Sequence, residues 1–303
     1  MKDVDAAQFE SYRPLMFSIA YRMLGSASDA EDIVQEAFLR YQAALPKQIE
    51  SLKAYLSAIV TRLCLNYLES ARVQRETYIG PWLPEPVLTT NEEALAPNLQ
   101  AELHETISMA FLALLEQLTP LERAVFLLRE VFDYEYTEIA EMTGKEETAC
   151  RQLFSRAKKH IAEHRPRFKA APEIHRQMLD QFIAAVRVGE MGGLMQLLGE
   201  DVTLWADGGG KTPGAALRPV SGREGVAKFV LAAAKRTPEG SEAKIAVVNG
   251  EESLVIELST GEPMLVMTCD ADPDGIHEIR VVGNPDKLQW LGRAMKESED
   301  GAQ

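Results

Sequence analysis

Apolar positions recur at helical spacing through the first quarter of the chain and at strand-like spacing near its end. Phe9, Tyr12, Met16, Ile19 and Met23 lie three or four residues apart, the signature of one buried helix face, and the helical pattern runs from Ala6 to about Arg75. Ser28 followed by Glu31 predicts a capping box that opens a second helix, and a third is predicted from about Leu52 to Arg72. In "GPWLPEPVLTTNEEALAPN" the prolines at 81, 84 and 86 forbid a helix and predict a stiff, extended linker. A second helical block is predicted from about Leu99 to Phe168, where Thr119, Pro120 and Glu122 supply an N-cap, a first-turn proline and a capping-box partner.

Beyond Pro172 the pattern changes. Helices are predicted in "PEIHRQMLDQFIAAVRVGEM" and, capped by Ser221 with Glu224, in "SGREGVAKFVLAAAKR". The runs "AKIAVVNG", "SLVIELST" and "PMLVMTCDADPDGIHEIRVVG" read as strands, with Asn249-Gly250 and Asp274-Gly275 as turns. Helices followed by an antiparallel meander indicate an α+β domain. The expected organisation is an all-α domain over 1–77, a proline-rich linker over 78–98, a second all-α domain over 99–169 and an α+β domain over 170–303.

A length of 303 residues with 46% hydrophobic content suits two or three modest domains. No apolar run is long enough to cross a bilayer and the N-terminus lacks signal-peptide order, so no membrane association and a cytoplasmic location are expected. Cys64, Cys150 and Cys269 are far apart among apolar neighbours and read as reduced and packed. His160 and His164 share a helix face but lack a third ligand, so neither a metal nor a cofactor is expected.

The net charge of −14 excludes a protein that holds nucleic acid by charge alone. Against that background the segment Arg151 to Lys169 is basic, with Glu163 its single acid. It belongs to a helix-turn-helix pattern: helices from Pro120 to about Glu130 and Thr137 to Met142, a turn at Gly144, and a last helix from about Glu146 to Ile161. On the last helix Ala149, Cys150, Leu153, Phe154, Ala157 and Ile161 form the inward stripe. Of the outward residues, Arg151, Gln152 and Ser155 are candidates for base edges, and Arg156, Lys158 and Lys159 for phosphates. A solvated helix face is the competing reading.

The stretch "WADGGGKT" carries the end of a phosphate-binding loop at Gly210, Lys211 and Thr212, but Trp205 stands where the first glycine is required. An indole cannot make that turn, so no nucleotide site is expected.

The segments "YTEIAEMTGKEETACRQLFSRAKK", "DAEDIVQEAFLR" and "LKAYLSAIVTRLCLNYLESARVQRE" resemble the two helical domains of bacterial extracytoplasmic-function (ECF) sigma factors. "WLPEP", "DGGGK" and "NPDKL" resemble three signatures of a subgroup in which a SnoaL-like α+β cone domain follows the sigma domains. The resemblance implies a protein that is not an enzyme, binds core RNA polymerase and directs initiation at promoter DNA. It also implies control in cis by the fused domain, with no separate anti-sigma factor required.

Spacing places Asp29, Asp32 and Glu36 along one face of a helix, as on any solvated acidic helix. The resemblance implies that this face, with Gln35, docks on the clamp helices of the polymerase large subunit. It likewise places Asn66 close to a captured promoter base, with Arg62, Arg72 and Arg75 supplying positive and polar groups nearby.

For regulation between domains the resemblance points to Trp82, Leu83, Pro84, Glu85 and Pro86 in the linker. It also points to Asp207, Gly208, Gly209, Gly210 and Lys211, and to Asn284, Pro285, Asp286, Lys287 and Leu288. The glycines permit close backbone approach, Trp82 offers an apolar anchor, and Asn284 reads as a helix cap with Pro285 in the first turn. The alternative is a SnoaL-like domain that binds or turns over a small molecule beside a DNA-binding repressor module. A catalytic pair is not evident in His175, or in His277 beside Glu278, whereas a small ligand in the cone remains open.

Overall fold

The computed structural model describes residues 6–44, 49–89, 107–164 and 172–300, which fall into two compact units. The first contains the helices α1 (Ala6–Leu24), α2 (Ala27–Ala44) and α3 (Leu52–Glu76). It also contains α4 (Met109–Leu115), α5 (Pro120–Phe126), α6 (Tyr136–Thr143) and α7 (Glu147–His164). Phe9, Met16, Ile19 and Met23 of α1 are buried against Ile33, Val34 and Ala37 of α2 and Leu56, Val60 and Cys64 of α3, as the helical spacing predicts.

Helix α2 begins one turn-forming step earlier than the sequence suggests. Ser26, not Ser28, is the cap: its Oγ accepts from the Asp29 amide at 3.1 Å, while the Glu31 carboxylate pairs with Arg13 instead of closing a capping box. The Thr119 capping box forms as expected, and Gly144 closes α6 in the left-handed conformation at φ 66°. Helix α5 passes into a π-helical turn over Leu127–Val131 and ends before Asp133, which has φ 54°.

The second unit contains α8 (Pro172–Val188), α9 (Met191–Leu197), β1 (Leu198–Asp207), β2 (Val220–Ser221) and α10 (Arg223–Ala234). The strands β3 (Glu242–Val248), β4 (Glu251–Glu257), β5 (Pro263–Asp272) and β6 (Gly275–Val282) follow, and α11 (Pro285–Asp300) closes it. The sheet order is β2-β1-β6-β5-β4-β3; β1 and β6 are parallel and the other neighbours antiparallel. Asn249 and Gly250, at φ 54° and 75°, make the tight hairpin turn their sequence predicts.

Strands β1 and β2 escape the sequence reading. Ser221 does not cap α10, because its backbone pairs with Thr203 in the sheet; the chain turns at Gly222, φ 81°, whose amide donates to the Val202 carbonyl. One sheet face buries Leu204, Met267, Cys269 and Ile279 against Leu179, Phe182, Leu194 and Val226 of the helices. By strand alternation Asp207 belongs to the opposite face.

Candidate functional site

The proline segment is not a free tether along its described length. Residues 78–89 lie on the second unit, and residues 90–98 of the expected linker lie outside the described residues. Asp207, at the end of β1, is 1% exposed, and its carboxylate organises the contact. Oδ1 accepts from the Tyr78 hydroxyl; Oδ2 accepts from the Leu83 amide at 2.8 Å and from Lys287 Nζ at 2.7 Å. Lys287 also donates to the Leu83 carbonyl and lies 4.1 Å from the Trp82 ring centroid. Burial, then the Asp207 hydrogen bond, raises the Tyr78 phenol well above its ordinary range, so it stays a donor.

The loop after Asp207 fits so closely that side chains are excluded. A Cβ on Gly208 would meet Ala215 Cβ at 2.5 Å, one on Gly209 would meet Asn284 Nδ2 at 2.3 Å, and one on Gly210 would meet Ile79 Cδ1 at 2.9 Å. Gly209 and Gly210 also have φ 57° and 71°. Asn284 caps α11 through the Asp286 amide and donates from Nδ2 to the Tyr78 hydroxyl at 2.9 Å. Lys211 pairs with Asp286 on the surface, and Leu288 is buried.

Gly209→Ala is therefore expected to displace Asn284 and loosen Tyr78. The added left-handed strain is about 1–2 kcal/mol, to be read as a lower urea midpoint for the second unit.

Farther on, Pro84, Glu85 and Pro86 are buried, and the segment pairs with the end of β3. Leu88 bridges Val248, the Thr89 amide donates to the Val247 carbonyl at 2.9 Å, and Val87 exchanges hydrogen bonds with Asn249 through its amide and carbonyl. The segment so covers part of an edge strand that would otherwise present unpaired groups.

In the first unit Asp32 and Gln35 are exposed and Asp29 and Glu36 are half-buried on α2, with Leu39, 58% exposed, one turn beyond Glu36. Sequence spacing did not single out Leu39; its exposure does. On α3 Asn66 and Arg62 are exposed, whereas the side chains of Arg72 and Arg75 lie outside the described residues. Tyr55 is half-buried, 6.5 Å from the Tyr41 ring.

Arg62 is engaged within the unit. Its Nη2 donates to the Glu141 carbonyl at 2.6 Å and its Nε to the Met142 carbonyl at 3.1 Å. Ser57 and Tyr134 share a hydrogen bond of 2.7 Å, and burial pushes the Tyr134 phenol up to about 12.

On α7 Arg151, Gln152, Ser155, Arg156, Lys158 and Lys159 are exposed, while Cys150, Ala157 and Ile161 are buried. Arg151 lies 4.3 Å from the Tyr136 ring centroid and pairs with Glu147 at 2.6 Å; Lys158 pairs with Glu130 at 3.1 Å. The geometry is that of an outward helix whose cations are partly neutralised by nearby carboxylates.

Comparison with known proteins bears on these surfaces. Residues 8–73 match the Sigma-70 region 2 family and residues 108–161 match Sigma-70, region 4. The chain is 38% identical over 251 residues to the ECF RNA polymerase sigma factor SigJ of Mycobacterium tuberculosis, covering 82% of this chain and 80% of that protein. The chain belongs to the ECF RNA polymerase sigma factors. It is also 33% identical over 198 residues to a probable ECF RNA polymerase sigma factor, SigI, of the same species, covering 65% of this chain and 67% of that one. The crystal structure of M. tuberculosis SigJ matches with a TM-score of 0.74 at 32% identity, covering 95% of this chain and 99% of that chain. In this ECF sigma factor α1–α3 thus carry region 2, α4–α7 carry region 4, and a helix-and-sheet domain follows.

Among the described residues there is no cluster able to hold a metal ion and no helix long and apolar enough to cross a membrane. The two histidines weighed for catalysis are tied to the framework. His175 Nε2 lies 2.9 Å from the Glu252 carbonyl, and His277 Nε2 lies 2.9 Å from Asp272 Oδ1 beside the β5–β6 turn. A cleft of about 300 Å³ adjoins the glycine loop, lined by Ile79, Ala206, Thr212, Ala216 and Leu217 among others.

Proposed function

We propose that this ECF sigma factor binds core RNA polymerase through the Asp29, Asp32, Gln35 and Glu36 face of α2. Region 2 then captures the downstream promoter element near Asn66 and Arg62, and α7 of region 4 reads the upstream element. Arg151, Gln152 and Ser155 meet base edges; Arg156, Lys158 and Lys159 meet phosphates. Region 4 makes a modest electrostatic contribution of its own, because its cations already have acidic neighbours. Promoter recognition therefore depends on the polymerase.

The fused domain regulates this activity through the linker. The single observation that carries this reading is the buried Asp207 carboxylate, which holds Tyr78, Leu83 and Lys287 together. The linker connects region 2 to region 4, so while it is docked it is not available to extend between regions that must reach two promoter elements. Docked and released linkers form a two-state equilibrium, and a few kcal/mol sets the active fraction.

The test compares the affinity of core polymerase for the full chain and for a chain ending near Phe168. Weaker binding by the full chain is the expected result. Equal affinities would remove linker retention as a control on core binding, and failure of both chains to bind would overturn the assignment of the polymerase face.

A further inference from the structure

Two arginines in the first unit play matching parts. The last carbonyls of an α-helix have no partner within it and carry the negative end of the helix dipole. At the end of α6 the carbonyls of Glu141 and Met142 accept from Arg62, a residue of α3 in region 2. At the end of α1 the carbonyl of Met23 accepts from Arg123 Nη1 at 2.5 Å, a residue of α5 in region 4. Each sigma region thus supplies the cation that caps a helix of the other.

The surroundings reinforce the pairing. Arg123 is 3% exposed and also pairs with Glu116 of its own region; its burial lowers its guanidinium to about 9. Arg22, beside Met23, lies 5.8 Å from the Phe132 ring, and Lys53 lies 5.0 Å from the Tyr134 ring. The Ser57–Tyr134 hydrogen bond lies between the same two regions.

We infer that this reciprocal arginine capping is a clasp that holds regions 2 and 4 together and keeps Arg62 from nucleic acid until polymerase separates them. Arg62 has two mutually exclusive uses. While it caps α6 its Nε–Nη2 edge is held by the Met142 and Glu141 carbonyls; on a promoter the same edge is free for phosphate or base. Asn66 lies one helical turn on from Arg62 on the same exposed face of α3. Core binding and promoter capture are therefore coupled through one side chain, and region 4 inhibits region 2 directly.

The inference rests on the sigma-factor reading and is separate from control by the fused domain. The experiment uses the full chain with Gln42→Cys and Ala162→Cys carrying a donor and an acceptor dye; both positions are exposed, and the native cysteines are buried. Single-molecule energy transfer reports the separated population, and stopped flow reports association with core polymerase. Arg62→Gln, at an exposed position, is expected to raise the separated population about tenfold and to accelerate association by a similar factor. Arg123→Met, checked for retained helicity, should move both readouts in the same direction.

An unchanged distribution in Arg62→Gln overturns the clasp, whatever Arg123→Met does. Its failure is distinguishable from that of linker control. An open Arg62→Gln protein with equal core affinities for full and shortened chains leaves the clasp standing and removes the other, and the reverse pattern does the opposite.

Discussion

Asp207→Asn is expected to release the linker and raise promoter-directed transcription in a reconstituted assay about tenfold or more. Three donors converge on the native carboxylate, those of Tyr78, Leu83 and Lys287. An amide of the same shape offers one acceptor and turns an N–H₂ toward at least one of those donors. It also removes the negative charge of Asp207 from the buried Lys287 ammonium, and removing one partner of a buried pair costs about 3–5 kcal/mol. Part of that cost is avoided if Lys287 swings to solvent, but doing so abandons the Leu83 carbonyl and the Trp82 ring, which also favours release. Hydrogen exchange separates this outcome from unfolding: the Leu83 and Val87 amides should exchange at least tenfold faster, while amides in the β4–β5 pairing keep their protection. Faster exchange at Leu83 with unchanged transcription would show that the dock does not govern activity.

How much of this was legible in the sequence follows from where each determinant lies. The helix-turn-helix was readable because Thr119, Pro120, Glu122 and Gly144 act within a few residues of themselves. The two prolines on either side of Glu85 told of an extended backbone. They could not tell that the backbone would pair with Val247 and Asn249, some 160 residues away.

Strand β1 was missed for a related reason. Its first half carries Gly199, Glu200 and Asp201, and its ladder is parallel to β6, a pairing that no turn signal marks. The glycine loop was read as suited to close approach, and a Cβ added at any of its three glycines would meet a neighbouring atom within 3 Å; the identity of the approaching groups, Tyr78, Ile79 and Asn284 among them, required the fold. Arg62 shows the limit most clearly. Its residue type suggests nucleic acid, yet in this state the fold gives it the end of α6, because a helix C-terminus attracts the same cation a phosphate would.

The face of α2 provides the other large effect. Asp32→Lys combined with Glu36→Lys is expected to weaken core polymerase binding about 100-fold at physiological salt, since like charges brought together across an interface cost several kcal/mol. Neither position supports the fold. Asp32 is exposed, and Glu36 makes a single surface pair with Arg40 at 2.8 Å, of a kind worth under about 1 kcal/mol. Asp29 is kept in this variant because it lies in the first turn of α2, where its charge favours the helix dipole. Leu39→Ala provides an apolar control on the same face: it should weaken binding with little change in salt dependence, whereas the charge reversals should alter the salt slope itself. If the double reversal left affinity and salt slope unchanged while melting remained native-like, polymerase would have to engage another face, and the acidic stripe of α2 would be a solvated surface after all.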